Sequence, residues 1–212
     1  MQITQKPSPN FDSNSIPNLG YVIHGTLGNY DGAVNWLCTP PDRRPDGTYS
    51  SAHFVIAKDG RVTQLINTNK RAWHAGTVSN PDSIAKNVLP KTILGGFKNP
   101  NDSFIGIELE WFMGDKVTDQ QYLAMFEIIK NGGIKNPIIL CHKQIASFKA
   151  DFQKPDGTID YTVVETLIAK LTPPAPVAPV VATNTTQNMN TNIISQIKTK
   201  MAELQTLINQ LA

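Results

Sequence analysis

Apolar residues recur along this chain in two rhythms, short unbroken runs and helical stripes. Tyr21-Val22-Ile23 is an unbroken run that stops at His24 and Gly25, the profile of a short strand buried on both faces. Residues 28–37, GNYDGAVNWL, carry a weak helical pattern and lead into a turn-rich loop, CTPPDRRPDGTYS. Residues 51–66, SAHFVIAKDGRVTQLI, read as a hairpin, two β-rich runs around Lys58-Asp59-Gly60. GGFKNPNDS is loop and FIGIELEWF is strand. TDQQYLAMFEIIKNGG is a helix, with Thr118 and Gln121 as a capping box and two glycines after Asn131 to stop it. PIILCH is a second strand that ends on a histidine. YTVVETLIAKL is a further helix, with Thr162 and Glu165 as its box and Val164, Leu167, Ile168 and Leu171 as its buried stripe. Strands and helices mixed in this way predict an α/β domain over residues 1–171.

The pattern then changes. Residues 172–192 begin TPPAPVAP, with four prolines in eight residues, and continue in Asn and Thr; they predict an extended linker. Over 193–212, Ile194, Ile197, Met201, Leu204, Ile208 and Leu211 are spaced 3, 4, 3, 4, 3, a heptad seam about three repeats long. Two uses fit this C-terminal amphipathic helix, homo-oligomer formation or docking on its own domain.

Charge adds little. A net +2 and a pI near 8.5 are too mild to argue for nucleic acid and would not hinder approach to an anionic wall. No apolar run approaches the roughly 20 residues of a membrane span, so no stable membrane insertion is expected. The start, MQITQKPSPNFDSNSIPN, lacks the basic and apolar regions of a signal peptide, which predicts synthesis in the cytoplasm. Cys38 and Cys141 make no disulfide framework and are expected to be reduced and structural.

Chemistry centres on four histidines. His24 and His142 each close an apolar strand; one such ring is ordinary core, two at rigid strand ends point to a ligand. A catalytic zinc takes three protein ligands and leaves one position open. Spacing leaves the third among Asp151, Cys141, His53 and His74, with Cys141 weakest because it points to the opposite face from His142. Lys149 lies two residues before Asp151, and spacing alone favours a solvated loop ion pair for those two. Glu108 and Glu110 share one strand face, either turned inward beside an activated water or both solvated.

The segments YVIHGT, SSAHFVIAKDGRVTQLI, RAWHAG, NDSFIGIELE and LCHKQIASFKAD, in this order over Tyr21 to Asp151, resemble the zinc-dependent type 2 N-acetylmuramoyl-L-alanine amidases. That group includes phage endolysins and bacterial recycling amidases, and shares its fold with peptidoglycan-recognition proteins. The resemblance implies a central mixed β-sheet flanked by helices. It also implies Zn2+ held by His24, His142 and Asp151, Glu108 as general base and Lys149 as the oxyanion's partner. Trp73 and His74 would line the groove, with His53 near it. The implied substrate is peptidoglycan or a muropeptide. The implied activity is hydrolysis of the amide between N-acetylmuramic acid and L-alanine, in a phage endolysin that reaches the wall after release, or in the host cytoplasm for a recycling enzyme. A non-catalytic binding module is the rival, and it would not need the full ligand set found here.

Departures from the pattern are also present. Many relatives continue Asp-Pro-Gly where this chain has Asp151-Phe152-Gln153, which leaves the local turn open. Asp156 reads as a turn residue rather than a ligand, and Ala52 stands where some phage members have tyrosine. Residues 79–100 are longer than in compact relatives and are expected to form a flap that shapes the groove.

Overall fold

The computed structural model describes residues 1–172. The linker and the heptad helix expected after them lie outside the described residues. The strands are β1 (Ile3–Gln5), β2 (Phe11–Ser15), β3 (Gly20–Gly25), β4 (Phe54–Ile56), β5 (Val62–Gln64), β6 (Lys70–Ala72), β7 (Phe104–Leu109) and β8 (Ile138–Cys141). The helices are α1 (Tyr30–Cys38), α2 (Ser83–Val88), α3 (Asp119–Asn131), the single turn α4 (His142–Ile145) and α5 (Thr162–Leu171). Six strands form one sheet in the order β1-β5-β4-β7-β3-β8. β3 runs parallel to both β7 and β8, and β4 runs parallel to β7 but antiparallel to β5. The sheet is therefore mixed, with helices on both faces, as expected.

Alternation along the central strands sorts side chains between the two layers. Tyr21 and Ile23 of β3, Ile105, Ile107 and Leu109 of β7, and Ile139 and Cys141 of β8 pack in one core with Met125, Ile128 and Ile129 of α3 and Val163, Val164 and Leu167 of α5. Val22, Phe104 and Leu140 point the other way, against Ala85 and Leu89 of the α2 region and Ile145 of α4. Farther along the sheet, α1 lays Tyr30, Val34 and Leu37 on Val55 and Leu65. His24, Glu108 and His142 follow the even-numbered phase, so all three come up on the second face. Cys141 stays in the first core, as the alternation predicts, and both thiols are free.

Local chemistry explains most boundaries. The hairpin turns at Gly60, whose φ of +86° a side chain would resist. The Thr118 hydroxyl accepts the Gln121 N–H while Gln121 reaches back to the Thr118 N–H, and the same hydroxyl donates to the Lys58 carbonyl. That box both starts α3 and ties it to the hairpin turn. Asp156 accepts from the Thr158 backbone and hydroxyl, a turn residue as expected.

Three expectations need correction, and three strands were not anticipated. The box at Thr162 and Glu165 does not form: Tyr161 occupies the cap with no side-chain bond, and Thr162 donates to Asp160 instead. The buried stripe of α5 is rotated by one residue, taking Val163 in and leaving Ile168 46% exposed. Residues 79–100 are not a flap over the groove. Within them Ser83–Val88 form α2, capped by Asp82, Ala85 and Leu89 pack on Val22 and Leu140 of the sheet, and no residue of the segment lines the cleft. Finally, β1, β2 and β6 are short, mostly polar strands without a periodic apolar signal.

Candidate metal centre

The site lies where β3, β7 and β8 end on the second face. The β3–β7 register sets His24 directly beside Glu108. β8 delivers His142 to the first turn of α4. Asp151 arrives from the loop beyond α4, and it is 6% exposed rather than solvated. One oxygen of Asp151 accepts the Gly25 N–H at 3.1 Å. This contact depends on two unusual positions. Gly25 has no side chain because the Trp111 ring occupies that space; a Cβ there would meet it at 2.7 Å. Trp111 in turn stacks edge-on against Phe152, whose φ of +56° turns the chain immediately after Asp151. A buried aromatic held in the left-handed region thus makes the turn that the sequence left open.

The ligand atoms of His24, His142 and Asp151 all lie within 4.8 Å of one another. His24 Nδ1 is 3.0 Å from His142 Nδ1, and the Asp151 oxygens are 3.8 and 3.7 Å from those two nitrogens. Hydrogen bonding on the far sides of the rings decides what these atoms carry. His142 Nε2 lies 2.9 Å from the Ala75 carbonyl, and a carbonyl only accepts, so the proton of neutral His142 is on Nε2. His74 Nε2 likewise faces the Phe104 carbonyl at 3.0 Å and carries its proton, leaving His74 Nδ1 as an acceptor. His24 has one proton for two acceptors at 3.0 Å, His74 Nδ1 beside its Nε2 and His142 Nδ1 beside its Nδ1, and the tautomer that serves His74 is the one that frees His24 Nδ1 for a ligand. In that tautomer both Nδ1 atoms present lone pairs to each other and to a carboxylate. Burial, reinforced by His142, His74 and Lys149, holds His24 well below its ordinary pKa, so a proton does not fill the gap at neutral pH. Three convergent Lewis bases without a hydrogen among them fit a divalent cation. Two imidazoles and a carboxylate are a donor set suited to zinc with one position left for solvent or substrate.

Around this trio runs a cleft of about 510 Å³, lined also by Glu108, Lys149, Trp36, Trp73 and His74. Burial, with a smaller push from Asp151, raises Glu108 to about 8, and Lys149 opposes the rise. Trp73 is half-buried, donates its indole N–H to Asp12 and stacks edge-on with Tyr49. Asn101 fixes the segment behind it, accepting from both the His74 and Ala75 backbone.

Not every expected residue is in the cleft. Glu110 does not share a role with Glu108: its carboxylate accepts the Lys58 N–H away from the site. His53 is fully buried and lines no part of the cleft. Its Nδ1 accepts the Gly106 N–H and its Nε2 donates to the Lys70 carbonyl, joining β7 and β6. His74 does face the cleft, yet both its ring nitrogens are already bonded within the protein. Sequence reasoning missed Trp36. It is 41% exposed on the face of α1 away from Val34 and Leu37, and Arg44 covers it at 4.9 Å while donating to the Trp36 carbonyl and to four acceptors in the adjoining loop. The available signal was an aromatic on the polar side of a helix.

Residues 15–156 match the family described as N-acetylmuramoyl-L-alanine amidase. Among curated proteins, the chain is similar to the 1,6-anhydro-N-acetylmuramyl-L-alanine amidase AmpD of Haemophilus influenzae, 42% identical over 37% of this chain and 35% of that protein. The AmpD of Salmonella typhimurium is 42% identical over 58% of this chain and 66% of its own length. The chain thus covers between about a third and just under two thirds of these relatives. Its fold is similar to that of a mutant endolysin from Bacillus subtilis, with a TM-score of 0.54 at 18% identity, over 81% of this chain and 99% of that one.

Proposed function

Because the chain belongs to the N-acetylmuramoyl-L-alanine amidase family, we propose that it hydrolyses the amide joining the lactyl group of N-acetylmuramic acid to L-alanine. The observation that carries this reading is the pair of imidazole lone pairs turned on one carboxylate at the head of an open cleft. His24, His142 and Asp151 would hold zinc, which when bound supplies a Lewis acid and lowers the pKa of water. Glu108, adjacent to His24, takes a proton from the attacking water and returns it to the leaving amine. The Lys149 ammonium, on the same wall, offsets the negative charge that develops on the carbonyl oxygen. Trp36 and Trp73 supply flat apolar walls for a sugar ring or stem peptide, and Asp151 is held for its ligand role by the Gly25 N–H.

The substrate has two forms, the assembled wall that an endolysin cuts and soluble fragments. The similarity to proteins named as 1,6-anhydro-N-acetylmuramyl-L-alanine amidases favours the soluble anhydro form as a second reading. Mass spectrometry after incubation with purified sacculi and, separately, with anhydromuropeptides tests both. Free stem peptides with intact glycan are expected. Cleavage within the glycan or the peptide would overturn the assignment, and the substrate that turns over faster identifies the working form.

A further inference from the structure

We propose that His74 is a positioning residue for the metal: it fixes His24 in the tautomer whose Nδ1 is free to bind. This rests on the reading of His24, His142 and Asp151 as zinc ligands. A neutral imidazole has two tautomers of similar energy, and here the wrong one has an inviting partner. With its proton on Nδ1, His24 would donate to His142 Nδ1 at 3.0 Å. The two rings would then satisfy each other and close the site to any cation.

His74 makes that arrangement costly. Its Nε2–H is committed to the Phe104 carbonyl at the start of β7, so its Nδ1 can only accept. It needs the His24 Nε2–H, 3.0 Å away. If His24 moved its proton to Nδ1, the lone-pair opposition relieved at His142 would reappear at His74 across the same distance, so His74 cancels the gain that tautomer would otherwise have. The order Phe104 carbonyl, His74, His24 therefore runs from a backbone acceptor, which cannot reverse, to the ligand atom. Groups behind a ligating histidine commonly do this, and their loss weakens metal binding about 10–100-fold.

The fold makes room for the device. His74 packs against β7 at Gly106, where a Cβ would lie 2.5 Å from His74 Cγ and 2.8 Å from its Nδ1. Any side chain at Gly106 must displace the ring whose Nδ1 faces His24. His53 braces the same residue from behind by accepting its N–H at 2.9 Å. The need at position 106 is thus space for a ring rather than backbone freedom, since its φ is not in the left-handed region.

Zinc affinity, measured by competition with a chromophoric chelator on the full chain, tests the proposal together with the ¹⁵N shifts of His24 in the metal-free protein. His74→Leu is expected to bind zinc about 10–100-fold more weakly than the parent. Its His24 should change from the Nε2–H tautomer to a mixture or to Nδ1–H. His74→Asn, whose amide oxygen sits near the former Nδ1, should recover most of the affinity. Gly106→Ala, which retains every ligand and His74 itself, should weaken zinc like the leucine variant and carries the test if that variant does not fold. Equal affinity in parent, His74→Leu and Gly106→Ala, or an unchanged His24 tautomer in them, overturns the role of His74 alone. A parent chain that binds no zinc overturns the metal reading, and this proposal with it.

Discussion

A carboxyl group beside a proposed cation site experiences opposing influences, and Glu108 shows which dominates. Burial and the nearby Asp151 raise it to about 8, more than Lys149 lowers it, so without a cation it is largely protonated at neutral pH. A divalent charge at the adjacent donors opposes that rise and favours the carboxylate a base requires. Glu108→Gln keeps the volume and loses the base, so zinc content should be retained while turnover falls by about 10²–10⁴. Zinc stoichiometry and initial rates on one preparation check this, and unimpaired turnover would assign the base elsewhere. His53 makes a different prediction because it lies behind His74 and lines no part of the cleft. Desolvation lowers it from 6.5 to about 4, partly offset by its bond to the Lys70 carbonyl. Between those values the unfolded chain binds a proton that the folded chain refuses. Its contribution is therefore present above about 6.5 and is lost as pH falls toward 4. From pH 7 to pH 5 that loss is about 2 kcal/mol. The other buried histidines act in the same direction, so the comparison is differential. In urea titrations, His53→Asn should show a pH 7 to pH 5 stability difference smaller than the parent's by roughly this amount. An identical difference would mean that His53 is not the buried neutral ring described here.

Among the connecting elements, the turn at Phe152 sets two effects against each other. A non-glycine residue at φ +56° costs about 1–3 kcal/mol, and glycine would relieve it. Phe152 is only 2% exposed and stacks on Trp111, and removing a buried phenylalanine costs about 3–5 kcal/mol. Packing dominates, so Phe152→Gly should destabilise by roughly 2 kcal/mol in chemical denaturation despite the relieved backbone. It should also loosen Asp151, because Trp111 fills the space over Gly25 that sets the Asp151 contact. A more stable glycine variant would reverse the ranking. This turn marks a limit of sequence reading. Strands with strong apolar runs, the Asp-Gly hairpin and the Thr118 cap were legible because each depends on neighbouring residues. His24 and His142 were legible as strand-terminal rings. The left-handed phenylalanine was not, since only the distant Trp111 and Gly25 require it. The polar edge strands β1, β2 and β6 gave no signal because their hydrogen bonds, not their side chains, place them. Trp73 was legible by resemblance alone, and His53, expected near the groove, lies one ring behind it against His74: a buried structural ring and a cleft ring look the same in one dimension.

For the described domain as a whole, the proposed ligands couple metal binding to the stability of the fold. His24 and His142 are 118 positions apart in sequence, and Asp151 reaches them through a loop. An unfolded chain does not bring these groups together, so zinc bound to the native state stabilises it by mass action. With free zinc about 1,000-fold above its dissociation constant the gain is about 4 kcal/mol. A domain of this size shifts by about 2–4 °C for each kcal/mol, which puts the expected loss of Tm on chelation near 8–16 °C. The metal-free chain should still fold, because its two apolar layers are complete without the site. Its native state nevertheless retains two imidazole lone pairs opposed at 3.0 Å, which zinc relieves. Calorimetry after dialysis against chelator, then after zinc is restored, should show a reversible fall and recovery. Magnesium should not substitute, since it prefers oxygen donors in an octahedral shell to a pair of imidazoles. A Tm independent of verified zinc content would mean that the three donors do not act together as one site.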